Sequence, residues 1–184
     1  MNENQNTRKQ FDDVIRMCRE VFMAKMKDYG SSWRILRTSS LTDQIFIKAS
    51  RIRSIEEKGI QKIEDGIRSE YIGIVNYSVI SLIQLELLNT GDLNLNREEA
   101  EKLFNKYIHA ARDLMLDKNH DYGEAWREMR LSSLTDIIMM KLMRIKQIED
   151  NNGKTLVSEG VESNYYDIIN YSIFALIKLR NENH

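Results

Sequence analysis

Lys48 and Arg51 lie three residues apart, and the same spacing returns at Lys141 and Arg144. On a helix, residues at i and i+3 share a face. Each pair therefore presents an ammonium and a guanidinium side by side, a combination that holds phosphate through charge-assisted hydrogen bonds. A polar cluster follows each pair: Asn76 and Tyr77 in the first half, Asp167, Asn170 and Tyr171 in the second. The acid differs between the halves. Glu70 stands where the second half has Asn164, and Gly73 where it has Asp167. A carboxylate on an otherwise apolar helix needs a cation, a metal or several donors, and the Lys–Arg pairs are the nearest candidates. The same groups thus carry two readings, a phosphate site or internal ion pairs that fix helix register.

Aromatic residues recur with the charges. Asp28-Tyr29-Gly30 followed by Trp33 returns as Asp121-Tyr122-Gly123 followed by Trp126. Tyr29, Trp33, Tyr122 and Trp126 suit stacking on a base, or packing at a corner between helices with the glycines as caps. For a metal, Asp113 and Asp117 are spaced i, i+4, and Asp167 lies further on. Three such carboxylates converging from different helices would suit Mg2+. The first half has Glu20, Ala24 and Gly73 at those positions, so a protein-held Mg2+ is expected in the second half; a solvated acidic face is the competing reading. Asp43 and Asp136 read as helix-start residues that complement the dipole. His109, His120 and His184 form no spaced zinc pair, and there is neither a glycine-rich phosphate loop nor a serine elbow. Cys18 is alone and reads as a small buried hydrophobe.

These residues must be positioned by a duplicated scaffold. At an offset of 93, 17 of the 29 positions from Asp28 to Glu56 are identical in the second half, including Ser39-Ser40-Leu41-Thr42-Asp43 against Ser132-Ser133-Leu134-Thr135-Asp136. After one inserted residue, Asn76-Tyr77-Ser78 matches Asn170-Tyr171-Ser172. The two units span residues 1–90 and 91–184, joined by the short polar stretch Asn89–Leu95. Each reads as three helices. The first runs from about Arg8 to Lys27, with Thr7 and Gln10 spaced as a capping box, and its counterpart begins after Asn96 with Glu99 completing the same motif. Second helices starting at Ser40–Asp43 and Ser133–Asp136 end near Gly59 and Gly153. The third, about Ser69–Leu88 and Asn164–Arg180, is apolar on nearly every face and so belongs at the centre. The expected fold is all-α: a pseudo-symmetric duplicated bundle sharing one core, with a homo-oligomer of whole chains compatible with it.

Composition agrees. The chain of 184 residues has no proline, few glycines, 42% hydrophobic and 30% charged residues, which suits helices. A net charge of -1 with interspersed signs supplies no basic face for duplex DNA. No run approaches the roughly 18 apolar residues of a membrane span, so no membrane partner is expected, and a cytoplasmic location is.

The strings Asp28-Tyr29-Gly30-x-x-Trp33, Ser39 to Asp43, Lys48-x-x-Arg51-Ile52 and Gly73-Ile74-Val75-Asn76-Tyr77 resemble the nucleotide modification associated domain 1 family, and the set from Asp121 to Tyr171 resembles it equally. The resemblance covers nearly the whole chain and implies a nucleotide or modified nucleotide as partner. A more distant likeness is to the all-α MazG-type nucleoside triphosphate pyrophosphohydrolases, in which carboxylates of two helices hold Mg2+. Their Glu-x-x-Glu and Glu-x-x-Asp motifs are split here, with Met23 three residues after Glu20, Gly73 after Glu70, and Asn164 before Asp167. Three functions follow as expectations: Mg2+-dependent hydrolysis of a nucleotide phosphoanhydride, non-catalytic nucleotide binding, and a structural helical interaction protein.

Overall fold

The computed structural model describes residues 3–59, 66–157 and 159–181, with side chains from residue 6 onward. Among the described residues every regular element is helical: α1 Glu3–Tyr29, α2 Thr38–Lys58, α3 Ile67–Glu86, α4 Arg97–Tyr122, α5 Leu131–Asp150 and α6 Val161–Asn181. A 3-10 turn, 32–35 in one repeat and 125–128 in the other, joins the first and second helices of each.

The start of α4 follows its sequence signal. Asn96 accepts from the Glu99 backbone N–H at 2.9 Å, and Glu99 accepts in return from the Asn96 N–H at 3.2 Å, satisfying two donors that a helix start otherwise leaves bare. Gly59 ends α2 in the left-handed conformation at φ 61°.

Two expected starts are corrected. Helix α1 begins at Glu3, so Thr7 and Gln10 lie inside it. Their side chains instead accept from Arg127 of the other repeat, at 2.7 and 2.9 Å, and Thr7 donates to Glu124. Helices α2 and α5 begin at Thr38 and Leu131, behind the extended residues Arg37 and Arg130. Asp43 and Asp136 therefore lie beyond the first turn, and the dipole does not explain them. Asp43 pairs with Lys146 at 2.6 Å and Asp136 with Arg53 at 3.7 Å. Lys146 and Arg53 are equivalent positions, so each second helix reaches a cation across to the other.

Packing is paired throughout: α1 lies against α4, α2 against α5 and α3 against α6. The third helices are central, as their uniform apolarity requires. Ile74, Val75, Val79 and Ile83 of α3, and Ile168, Ile169, Ile173 and Ala175 of α6, have no exposed surface. One continuous apolar core draws on all six helices. Phe22 of α1 stacks on Phe104 of α4 with centroids 4.6 Å apart, and Phe11 of α1 meets Phe174 of α6 edge-on at 6.3 Å. Neither repeat could bury its apolar faces alone. No helix among the described residues is long and apolar enough to cross a membrane.

Candidate functional site

A cavity of about 410 Å³ opens in the first repeat between α1, the 3-10 turn and α3, with Lys48 of α2 on one side. Its walls include Tyr29, Trp33, Lys48, Asn76 and Tyr77, five of the residues that the sequence nominates. A volume of that order is what small-molecule sites use. Trp33 is partly exposed and its indole N–H donates to the Met26 sulfur at 3.5 Å. Asn76 donates from Nδ2 to the Cys18 carbonyl at 3.0 Å, while its Oδ1 is buried without a partner.

Electrostatics at this wall centre on Glu70, which is 6% exposed. Its carboxylate accepts from Lys48 Nζ at 3.2 Å and from Arg51. Lys48 also lies 5.9 Å from the centroid of the Tyr77 ring. The lysine stem crosses α3 at Gly73, where an added Cβ would come within 2.8 Å of Lys48 Cε. Lys25, another lining residue, is exposed and forms no ion pair among the described residues.

In the second repeat a carboxylate stands at the corresponding place. Asp167 stands at the position of Gly73, and its carboxylate accepts from Lys118 at 2.7 Å and Lys141 at 2.6 Å. Lys118 and Lys141 are the counterparts of Lys25 and Lys48. Burial alone would raise the Asp167 carboxyl, but the two lysines outweigh it and hold it below the usual aspartate value. Phe174 replaces the lining residue Ile80, and the Trp126 ring stacks on it at 4.3 Å and 5°. Tyr171 meets Phe174 edge-on at 6.1 Å. Trp126 is buried in consequence, Asn170 is buried with its Oδ1 unpartnered, and Tyr122 stands 79% exposed.

Arg144 differs from Arg51 because the acid that meets Arg51 is absent from the second repeat. Where Arg51 finds Glu70, the second repeat offers Asn164, which donates to the Gly160 carbonyl at 2.9 Å. Arg144 is exposed and has no ion pair among the described residues. With Lys141 it borders a separate open groove beside the α5–α6 connection.

The expected Mg2+ donors do not converge. Asp113 is exposed and bonded to Arg112 at 3.1 Å, Asp117 is exposed, and Asp167 is neutralised by its two lysines. Among the described residues no group of three His, Cys, Asp or Glu side chains is placed to hold a metal ion. Asp113, Asp117 and Asp167 form no such group. His109 is partly buried, His120 is exposed beside Asp121 at 3.2 Å, and His184 lies outside the described residues. Burial pushes the Cys18 thiol up to about 12, which suits a packed hydrophobe.

Several duplicated residues that were not nominated for chemistry turn out to join the repeats. Thr42 donates to Glu149 at 3.0 Å and lies 2.8 Å from the Tyr165 hydroxyl. Thr135 donates to Glu56 at 3.0 Å and lies 2.7 Å from the Tyr71 hydroxyl. Identity between the copies was the available signal, and it marks these residues no differently from those lining the cavity. Arg34 and Arg127, also duplicated, are corner locks: Arg34 donates to Gln84 and to the Asp92 carbonyl at 2.6 Å, and Arg127 lies 4.3 Å over the Trp126 ring.

No curated protein and no solved structure matches the chain. Two segments, residues 25–85 and 118–179, each match the family described as nucleotide modification associated domain 1. They contain most of the residues lining the first-repeat cavity and their counterparts in the second, and together they cover about two thirds of the residues. The chain is a tandem member of the nucleotide modification associated domain 1 family.

Proposed function

We propose that the protein binds a nucleotide in the first-repeat cavity, with the base against Trp33 and Tyr77 and a phosphate between Lys25 and Lys48 above Gly73. The observation that carries this reading is the exchange of Gly73 for Asp167. The second repeat holds its own carboxylate between Lys118 and Lys141. The first repeat has the same two lysines and no carboxylate at that place, where the flexible Lys48 stem lies against Gly73. An external anion there would complete the arrangement that the protein already makes internally.

The aromatic wall supports a base as the remainder of the ligand, since a ring face is matched by another ring face. Membership in a family associated with nucleotide modification supports the same class, a modified nucleotide included. The Mg2+-dependent pyrophosphohydrolase reading, drawn from the likeness to MazG-type enzymes, needs converging carboxylates. Among the described residues no group of three such side chains is brought together, so the reading favoured is one of binding.

A structural reading has one observation in its favour: Lys48 and Arg51 are both already engaged with Glu70. Trp33 fluorescence separates the two readings. Trp33 lines the cavity, whereas Trp126 is buried on Phe174. Titration with nucleotides is expected to quench the emission saturably in the wild type and in Trp126→Phe, and to lose that response in Trp33→Phe. A panel of ordinary and base-modified nucleotides that leaves the emission unchanged, with no thermal shift, would favour the purely structural reading.

A further inference from the structure

We infer that the outer face shared by α2 and α5 is the contact between two copies of this chain, docked face to face about a twofold axis. The residues that carry this face do not line the first-repeat cavity, so the inference stands apart from what that cavity binds.

Helix register places the face. Helices α2 and α5 run antiparallel: Thr42 meets Glu149 and Asp43 meets Lys146 at one end, while Arg53 meets Asp136 and Glu56 meets Thr135 at the other. Between the two ion pairs the outward positions are apolar. Ile47 is 60% exposed, its counterpart Met140 43%, and Met143 49%. Phe46 and Met139, equivalent in the two repeats, are half-buried beside them. Lys146 Nζ lies 4.4 Å from the centroid of the Phe46 ring, which ties that ring to the same face. Single exposed hydrophobes are ordinary. Five neighbouring ones on one helix pair, three of them methionines, form a patch of the kind that meets another protein.

The charges select the partner. In order round the patch its four corners are Asp43, Arg53, Asp136 and Lys146, so the sign alternates at every step. Glu57, one turn beyond, also holds Arg53 at 2.9 Å. A second copy turned over about an axis in the plane of the face, along or across the helices, sets each aspartate over a cation. A copy crossed at right angles would set like charges together. The helices of the two copies therefore stack nearly aligned. Within one chain such exposed ion pairs contribute little; between copies they fix the orientation of an apolar centre. The four corners carry no net charge and so favour neither an acidic nor a basic partner. An isologous contact, by contrast, requires this self-complementarity. The duplication supplies it, since Asp43 and Asp136 are equivalent positions, as are Arg53 and Lys146.

Sedimentation equilibrium of the full chain, over a range of micromolar concentrations, tests this. The expected result is a reversible monomer–dimer equilibrium. Met140→Lys should raise the dissociation constant about tenfold or more, and Ile47→Glu with Met143→Glu should leave a monomer. All three positions are exposed in the single chain, so helix content by circular dichroism should be retained; if the double variant does not fold, Met140→Lys decides. Asp43→Lys with Asp136→Lys gives the four corners one sign and should weaken the dimer by a similar factor. Tyr122→Glu, on exposed surface of α4, should leave it intact. A chain that stays monomeric throughout would overturn the inference. So would a dimer that folded Met140→Lys and the aspartate variant leave unchanged, or one that Tyr122→Glu alone abolishes.

Discussion

Thr42 and Tyr165, 123 residues apart in the chain, meet hydroxyl to hydroxyl at 2.8 Å in the interior, one from each repeat. The Thr42 proton goes to Glu149 at 3.0 Å, so the tyrosine supplies the donor to threonine. The pseudo-equivalent relay, Tyr71 to Thr135 to Glu56, runs in the opposite sense at 2.7 and 3.0 Å. Tyr71 and Tyr165 have no exposed surface, and a buried hydroxyl without a partner is costly. The two relays make each repeat necessary to the other.

Thr42→Val with Thr135→Val should therefore destabilise the protein more than two ordinary core changes. Each removes a hydroxyl partner of a buried tyrosine, Tyr165 keeping its hydrogen bond with Ser81, and the cost is about 1–3 kcal/mol per site. Urea unfolding should show a single, less stable transition. Independent melting of two halves, or no change in midpoint, would count against this role.

Gly73→Asp should close the first-repeat cavity by giving it the carboxylate of its counterpart. The new side chain displaces the flexible stem of Lys48, and replacing glycine by aspartate within a helix gains about 0.3 kcal/mol. The expected result is an unchanged or raised melting temperature with nucleotide affinity lowered at least tenfold. Full affinity in this variant would place the ligand elsewhere.

The converse pair, Asp167→Gly with Phe174→Ile, should open the second repeat. Trp126 would lose its stacking partner, and Lys118 and Lys141 would lose their shared acid. A binding stoichiometry of two per chain is expected, against one in the wild type, at a stability cost of about 2–4 kcal/mol from glycine propensity and lost aromatic volume. A stoichiometry still at one in a folded variant would show that these two exchanges do not account for the asymmetry.

Arg51→Ala and Arg144→Ala should differ although the residues are equivalent. Arg51 shares the buried Glu70 with Lys48, and removing one partner of such a carboxylate costs about 1–3 kcal/mol. Arg144 is exposed without an ion pair among the described residues, and its removal should fall within about 0.5 kcal/mol of neutral. Equal losses in chemical denaturation would mean that both serve the fold alike.

The pH dependence carries two opposite signs. Burial raises Glu56 and Glu149 above the ordinary glutamate value, with the threonine hydrogen bonds only partly offsetting it. A carboxyl that is harder to ionise when folded withdraws stability as pH rises from its unfolded value through its folded one. Asp167 is lowered, so its contribution is present above the unfolded value and lost as pH falls through the folded one. Glu56→Gln with Glu149→Gln keeps the acceptors and removes the charges. Its urea midpoint, followed from about pH 4 upward, should fall less with pH than that of the wild type. A midpoint at pH 8 below the wild-type value would refute this assignment.

What the chain spells out locally is the duplication, the six helices and their polarity. The capping box at Asn96 and Glu99, the left-handed stop at Gly59 and the uniform apolarity of the third helices act over a few residues, and each appears where the sequence puts it. The pairing of Glu70 with Lys48 and Arg51, and of Asp167 with Lys141, was legible too, because a carboxylate on an apolar helix must find a cation. Tertiary structure alone decided that Thr7 and Gln10 serve Arg127, that Asp43 reaches Lys146, and that the acids expected around a metal stay apart. It also decided which copy holds the cavity. Ile80 against Phe174 is an unremarkable apolar exchange on paper, and Gly73 against Asp167 a single polar one. Their effect depends on what faces them, Trp33 and Lys25 in one repeat, Trp126 and Lys118 in the other. An empty volume is a property of several helices at once, and no stretch of sequence encodes it by itself.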